Sequence, residues 1–242
     1  MGRGGGGICG SRAGHSNGHI TITHSHSTGT ILGESSGGIC GGNAGYTGGH
    51  VSVSHSYFTG TIDCSRSGGI CGKSSGESNE EVVIEQCYSV GKINGSRSGG
   101  ITGSNTAERN GHVSITNCYS LGDIKGSNHA GGICGASAGS TSRKRDGGTV
   151  IVTNVYASGQ SQDEDTGGII GEVDGEANQI NITMSVYDGC NNTTSMIGGT
   201  KGAHVDERNS NISDIIGTLC CFVGDGDQPG EKNVGTTQRY DR

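Results

Sequence analysis

Cysteine and histidine are the side chains of this sequence best suited to chemistry, and both recur at a regular spacing. The 242 residues include ten cysteines and nine histidines. Six of the cysteines form two series spaced by about 31 residues or twice that: Cys9, Cys40, Cys71 and Cys134, and Cys87 with Cys118. No Cys-x-x-Cys pair is present, so the sequence does not support a structural zinc site. We expect these thiols to be small buried side chains rather than disulfides. A disulfide, if the compartment allows one, would instead involve Cys64, Cys190, Cys220 or Cys221.

The histidines follow the same spacing. His19, His50 and His112 are predicted to lie in one column, and His24 is predicted to stack over His55. Two stacked imidazoles could hold a metal ion, but solvated side chains explain the pattern equally simply. We therefore expect these five histidines to be possible surface contacts, and we expect no metal site and no cofactor.

Carboxylates are the other side chains that could do chemistry. A glycoside hydrolase needs two of them about 5–10 Å apart. The candidates Asp63, Glu85 and Asp123 are scattered over different parts of the sequence, and none has a clear partner. The sequence also lacks a phosphate-binding loop, a nucleophile elbow and a histidine-centred nucleophile arrangement. No catalytic residue is predicted, and we expect the protein not to be an enzyme.

The elements that position these residues are repeats. The segment Gly37-Gly38-Ile39-Cys40-Gly41 occurs, nearly letter for letter, six times, with starts at Gly6, Gly37, Gly68, Gly99, Gly131 and Gly167. The intervals are 31, 31, 31, 32 and 36 residues. A fixed period of this length is typical of a repeat architecture.

Each repeat predicts short β-strands. Val51 and Val53 alternate with polar residues, which is the pattern of a half-buried strand. Further short strands are predicted at Gly-Gly-Ile-Cys-Gly and around Thr61-Ile62, and no segment has helical periodicity. Such strands become stable when each repeat stacks on the next, about 4.8 Å away. The sequence therefore predicts an all-β parallel β-solenoid, a β-helix of about six coils of ~31 residues, which we expect to be right-handed.

Stacking places like residues in columns along the axis. The predicted isoleucine column is Ile8, Ile39, Ile70, Ile101, Ile133 and Ile169. The predicted cysteine column is Cys9, Cys40, Cys71, Thr102, Cys134 and Ile170. A column of small interior residues is Ser25, Ser56, Cys87, Cys118, Val155 and Val186, and an aromatic ladder beside it is His26, Tyr57, Tyr88, Tyr119, Tyr156 and Tyr187. The last repeat has one extra residue between Ile182 and Tyr187, which predicts a bulge there.

Composition limits the function classes. The net charge is −7 with a pI near 5.7, which opposes binding to nucleic acid. No stretch approaches the ~20 apolar residues of a membrane span. We expect residues 1–200 to form the solenoid and residues 201–242 to form a C-terminal capping segment with a polar, partly flexible tail.

A family resemblance adds to this interpretation. Residues 99–103 followed by residues 112–126, which include Asn117-Cys118-Tyr119, resemble the GLUG repeat. The resemblance covers about residues 6–200, although Ile-Cys stands where the family usually has Leu-Val. GLUG repeats occur in large secreted bacterial proteins, including filamentous haemagglutinin-type adhesins, where they form stalk or adhesive regions. The resemblance therefore implies a glycine-rich repeat with an adhesive or structural role.

The sequence as a whole favours a non-catalytic structural or adhesive protein, extracellular or on a cell surface. Its expected partners are further copies stacked head to tail as a fibre, or a surface glycan or protein. Two alternatives remain open. One is a carbohydrate-active β-helix enzyme of the lyase or glycosidase type. The other is an ice-binding protein, suggested by Thr21, Thr23, Ser52 and Ser54, although Val83 and Glu85 interrupt that array.

Overall fold

The chain folds as a parallel β-solenoid. The computed structural model describes residues 2–78, 81–140, 147–160, 165–174, 179–188, 197–201 and 204–208. Within these ranges every strand pairing is parallel and no segment is helical. Gly-to-Gly bridges join residues 6, 37, 68, 99, 131 and 167 in succession, which gives five turns at a spacing of about 31 residues. The predicted fold class is confirmed.

Two long sheets run along the axis, and each of the first six coils contributes one strand to each. The seven-stranded sheet consists of β1 (His19–Thr23), β3 (His50–Ser54), β5 (Glu81–Glu85), β7 (His112–Thr116), β9 (Thr149–Thr153), β12 (Gln179–Thr183) and β15 (His204–Arg208). The six-stranded sheet consists of β2 (His26–Ile31), β4 (Tyr57–Ile62), β6 (Tyr88–Val90), β8 (Tyr119–Leu121), β10 (Tyr156–Ser158) and β13 (Val186–Asp188). A third, two-stranded sheet pairs β11 (Ile170–Asp174) with β14 (Ile197–Lys201). Residues 209–242, most of the predicted C-terminal segment, lie outside the described ranges.

Alternation of apolar and polar residues decides which side chains point inward. In β3, Val51 and Val53 are fully buried, whereas Ser52 between them is half-buried on the outer face. The same alternation recurs in β5, β7 and β9. Successive side chains of a strand point to opposite faces, so the repeated pattern places every coil in the same register.

The Gly-Gly-Ile-Cys-Gly segment differs from the strand predicted for it. In the first five repeats it makes only isolated bridges, at its first glycine and at the residue after isoleucine. In the second coil, the amide N–H groups of both Ile39 and Cys40 donate to the carbonyl oxygen of Ile70. Two successive amides that share one acceptor bend the chain, so the segment is a tight bend rather than an extended strand. We call this Gly-Gly-Ile-Cys-Gly segment the wall of the coil.

The isoleucine column forms the centre of the core. Each isoleucine N–H donates to the carbonyl of the next isoleucine in the column, at 2.9–3.1 Å. From Ile39 to Ile169 these side chains have no exposed surface, whereas Ile8, with a described coil on one side only, is 50% exposed. The cysteine column is also in the predicted register, with bridges from Cys9 through Cys40, Cys71, Thr102 and Cys134 to Ile170.

The prediction for Tyr187 is wrong. Tyr156 pairs with Val186, and Tyr187 pairs with Ala157, so no extra residue is present and no bulge forms. Ser185 takes the small interior position predicted for Val186, and its Oγ accepts a hydrogen bond from the Val155 N–H at 3.5 Å. Because β12 and β13 keep the spacing of earlier coils, Tyr187 falls on an inward position. Its ring lies against Gly168, and its hydroxyl donates to the Gly159 carbonyl at 2.9 Å.

Candidate functional site: a ridge of stacked side chains

The most regular outward feature of the solenoid is a ridge at the corner between the two long sheets. We define this ridge by two columns, a ring column and a corner column, that stand two residues apart in each coil. The ring column is His26, Tyr57, Tyr88, Tyr119 and Tyr156. The corner column is His24, His55, Gln86, Asn117 and Asn154.

The backbone at the corner fixes the ridge. Every corner residue is in the left-handed region, with φ between 48° and 54°. Its N–H donates to the carbonyl of the last strand residue in the next coil, as His24 does to Ser54 at 3.2 Å. Asparagine and histidine tolerate this conformation better than most residues, whereas glutamine adopts it here because the stacked coils hold it. The corner residue and the ring two positions later therefore both face outward, with a small buried residue between them.

The rings stack almost parallel at the spacing of the coils. The centroid distance is 5.0 Å from His26 to Tyr57, 4.7 Å from Tyr57 to Tyr88, and 4.8 Å from Tyr88 to Tyr119. The angles between ring planes are 9°, 2° and 2°. Tyr156 continues the column by its pairing with Tyr119. The predicted ladder is thus confirmed from His26 to Tyr156.

Tyr88 and Tyr119 are half-buried, and this changes their acidity. Burial, with a smaller contribution from the neighbouring Tyr57, raises the pKa of Tyr88 to about 12. Burial, with a smaller contribution from Tyr88, also raises the pKa of Tyr119. These two phenols are therefore neutral hydrogen-bonding groups at physiological pH. Beside them, Asn154 Nδ2 donates to Asn117 Oδ1 at 2.6 Å, so amides also link successive coils.

This arrangement is suited to binding rather than to bond cleavage. Along the axis it offers a row of ring edges and hydroxyls beside a row of imidazoles and amides, repeated every coil. Aromatic side chains with a polar end bury a large area at low conformational cost and recur at binding surfaces. An extended partner with its own repeat, lying along the axis, would contact one ring and one polar corner side chain in each coil.

The predicted histidine contacts fall on two faces. His24 and His55 stack on the ridge with centroids 4.8 Å apart. His19, His50 and His112 share one column on the outer face of the seven-stranded sheet, as predicted, with Glu81 between His50 and His112. His50 Nδ1 lies 3.1 Å from Glu81 Oε2.

The cysteines in the described residues are all free thiols. The sulfurs of Cys9 and Cys40 are 3.4 Å apart, and Cys87 Sγ donates to the Glu85 carbonyl at 3.2 Å. A hydrogen bond with Cys71 and burial raise the pKa of Cys40, and burial raises the pKa of Cys134 to about 12. Thiols held protonated in this way are poor nucleophiles, which suits a packing role. Cys190, Cys220 and Cys221 lie outside the described residues.

The carboxylates predicted as catalytic candidates do not come together. Asp63 follows β4 and accepts a hydrogen bond from Asn94 Nδ2 at 3.4 Å. Asp123 follows β8 two coils further along, and Glu85 ends β5 in the other long sheet.

Sequence reasoning missed a different carboxylate pair. Glu77 and Glu108 lie in adjacent coils and are 7% and 5% exposed. Arg109 contacts both: its Nη1 lies 2.5 Å from Glu77 Oε1, and its Nε lies 3.6 Å from Glu108 Oε1. Burial, and next the charge of Glu108, raise the pKa of Glu77. The 31-residue separation of the two glutamates is the signal that could have found them, because it places them in one column. Their engagement by Arg109 and by Asn105 (Nδ2 to Glu108 Oε2, 3.0 Å) favours a structural ion pair.

Metal-binding groups and membrane-spanning helices are absent from the described residues. Among the described residues, no group of three or more His, Cys, Asp or Glu side chains could hold a metal ion. The described part of the chain also contains no helix able to span a membrane. Comparison with known proteins finds no family model, no curated protein and no solved structure that matches this chain.

Proposed function

We propose that the protein is a non-catalytic structural and adhesive repeat protein that acts outside the cell or at its surface. The observation that carries the proposal is the ring column: one outward aromatic ring in each of five successive coils. The partner is an extended glycan, or a protein surface with a repeat of its own, that lies along the ridge.

Continuous hydrogen bonding along the axis supports a structural role. The isoleucine bridges and the two long sheets connect every coil to its neighbours through the main chain. Such quasi-one-dimensional proteins resist bending and present long surfaces in a fixed orientation. The resemblance of residues 6–200 to GLUG repeats of secreted adhesins points in the same direction.

Self-association is part of the same proposal. In parallel stacking, the outer strand of a terminal coil exposes main-chain groups that can pair with another strand. Copies that join end to end would extend both long sheets into a fibre. Sedimentation velocity over a range of protein concentrations tests this part, and a monomer at every concentration would exclude it.

The ridge is tested by removing rings. We expect Tyr88→Ala together with Tyr119→Ala to weaken binding to an arrayed panel of polysaccharides roughly tenfold or more, because alanine removes both the stacking surface and the hydroxyl. Tyr88→Phe with Tyr119→Phe keeps the rings and shows how much the hydroxyls contribute.

The matched control is on the opposite long sheet. Ser114→Ala with Thr116→Ala changes two outward side chains of β7 and leaves the ridge intact. Circular dichroism checks that each variant retains its sheet content. Equal loss of binding in the tyrosine and β7 variants, or no polysaccharide or protein ligand at all for the folded wild type, would refute the adhesive role.

A further inference from the structure

Histidines are concentrated at one end of the solenoid. Six of the nine lie between residues 15 and 55: His15, His19, His24, His26, His50 and His55. Because each coil pairs only with the coils before and after it, position in the sequence is also position along the axis. These six imidazoles therefore all belong to the first two coils. In the third coil the corresponding columns hold Glu81, Gln86 and Tyr88.

The imidazoles stack in pairs across neighbouring coils, and most of them are accessible. His24 stacks on His55 at 4.8 Å with 8° between the ring planes, and His19 lies over His50 at 5.7 Å. His26 stacks on Tyr57, and His15 stacks on Tyr46 at 5.6 Å. Five of the six side chains are exposed and His50 is half-buried. No other part of the described chain carries so many histidines within two coils.

The remaining charges make this end strongly responsive to pH. Residues 1–62 contain Arg3, Arg12 and Glu34 and no other Lys, Arg, Asp or Glu, so their formal charge is +1 with neutral histidines. Protonation of all six imidazoles raises that charge to +7. The other 180 residues carry 14 basic and 22 acidic side chains, a formal charge of −8 before their three histidines are counted.

Few charged groups oppose the imidazoles. The carboxylate of Glu81 contacts His50 at 3.1 Å. Glu85 is the nearest acidic residue to His55 in the next coil, where its backbone carbonyl accepts a hydrogen bond from the backbone N–H of His55. The facing groups for His15 are the Ser16 hydroxyl and Tyr46, over which the Arg12 guanidinium also lies at 5.8 Å. Glu34 is engaged by Arg3 and Arg66 at 3.2 and 3.0 Å. His26 faces Tyr57, while His19 and His24 face only His50 and His55 across the coils. Two carboxylates therefore border six imidazoles.

We propose that the first two coils, residues 2–62, form an acid-switched binding site for polyanionic glycans, that is, polysaccharides with a carboxylate or sulfate on most sugars. Below about pH 6 the imidazolium groups attract the anionic chain, and near neutral pH they lose their charge and release it. This inference rests on the proposed glycan binding and deepens it, because His24, His26 and His55 belong to the ridge, but it depends on the charge of the histidines and not on the tyrosines.

The surroundings of the imidazoles favour a sugar polymer over other polyanions. The outward neighbours on β1, β2 and β3 are hydroxyls, among them Thr21, Thr23, Thr28 and Ser52. Along the axis the corner column continues from His55 to the amides of Gln86, Asn117 and Asn154. A sugar chain held by the imidazoles can therefore form further hydrogen bonds with these hydroxyls and amides. An acyl chain, which needs an apolar surface, or a nucleic acid base, which needs an exposed ring face for stacking, would gain little from the same groups.

The test measures affinity for a polyuronate oligosaccharide at about pH 5 and about pH 7.5 at one ionic strength, with a neutral glucan of the same length alongside. We expect polyuronate to bind roughly tenfold or more tightly at the acidic pH, and added salt to weaken that binding strongly. The neutral glucan should show no such pH dependence.

Two variants locate the effect. Replacing His19, His24, His50 and His55 together by Gln should abolish the pH dependence, because Gln keeps the hydrogen bonds but cannot become charged. His112→Gln, in the fourth coil and in the same column as His19, should leave it unchanged. Circular dichroism at both pH values confirms that the variants are folded.

Several results would overturn the proposal. Equal polyuronate affinity at both pH values would do so, as would an unchanged pH dependence in the fourfold variant. Acid-dependent binding to anionic vesicles or to nucleic acid without polyuronate binding would assign the surface to another partner. Acid-dependent light scattering by the protein alone would assign it to self-association. The variant with Tyr88→Ala and Tyr119→Ala distinguishes the two proposals. If it loses ridge binding but keeps the pH dependence of polyuronate binding, the acid-switched site stands without the ridge tyrosines.

Discussion

Each buried isoleucine of the inner column packs between the equivalent isoleucines of the two adjacent coils. The contribution of burial can therefore be measured by comparing a buried and an exposed isoleucine of the same column. Ile101 has no exposed surface, whereas Ile8 occupies the equivalent position and is 50% exposed. We expect Ile101→Ala to lower the free energy of unfolding by about 2–5 kcal/mol, because it removes buried methyl groups and leaves a cavity. Ile8→Ala should cost less than about 1 kcal/mol.

Urea unfolding followed by circular dichroism checks this pair. Because both substitutions remove the same atoms from the same local sequence motif, the difference between them isolates burial. Equal losses of stability would contradict the assignment of Ile101 to a fully enclosed position.

The tyrosines predict a loss of stability at high pH. The pKa of Tyr88 is raised to about 12 in the folded protein, whereas an unfolded tyrosine ionises near pH 10. The folded state keeps a proton that the unfolded state releases in this interval. The associated stabilisation is therefore complete below about pH 10 and is lost as the pH rises towards 12.

Phenolate absorbance and urea midpoints between about pH 9 and 11.5 measure this effect. Tyr88→Phe should flatten the decline in stability with pH, because phenylalanine cannot ionise. A decline of unchanged slope in that variant would show that other groups cause it.

At the scale of one wall of a coil, the paired glycines set how closely the chain can approach its neighbours. A Cβ at Gly100 would meet the Ser120 side chain and the Gly132 carbonyl oxygen, whereas a Cβ at Gly10 would meet nothing within 4 Å. We expect Gly100→Ala to destabilise the fold by about 1–3 kcal/mol through overpacking. Gly10→Ala should be neutral or slightly stabilising, and thermal unfolding compares the two.

The same wall shows what sequence could and could not predict. Period and alternation are enough to predict the solenoid, the isoleucine and cysteine columns and five of the six ring positions. The Gly-Gly-Ile-Cys-Gly segment is predicted as a strand, but in the first five repeats it forms only isolated bridges. Two successive amides share the Ile70 carbonyl there, and the sequence pattern does not reveal this backbone geometry. Tyr187 was misplaced because residue identity suggested an insertion, while the backbone kept its count and turned the ring inward. The Glu77 and Glu108 pair leaves no local motif in the sequence, because only their 31-residue separation places the two carboxylates in adjacent coils.

At the scale of the whole molecule, the coil is the unit of deletion. Removing residues 68–98 joins Ser67 to Gly99 and brings the second coil onto the fourth with every column in register. We expect this variant to unfold cooperatively and to be shorter along the axis by about 4.8 Å. Removing only residues 84–98 should prevent folding, because it shortens β5 and removes β6, so the six-stranded sheet is interrupted in the third coil.

Circular dichroism and small-angle X-ray scattering distinguish the two deletions. A folded half-coil variant, or an unfolded whole-coil variant, would show that the coils are not interchangeable along the axis.

The inward turn of Tyr187 has a consequence for the size of the partner. Among the described residues the outward rings end at Tyr156, so this part of the ridge has five rings and a span of about 19 Å. A short oligomer would contact only some of these rings, and each added unit would raise the affinity until all five are covered. A longer polymer would make no further contact with this part of the ridge. Under the proposed function, affinity therefore increases with ligand length only up to about the length of these five coils.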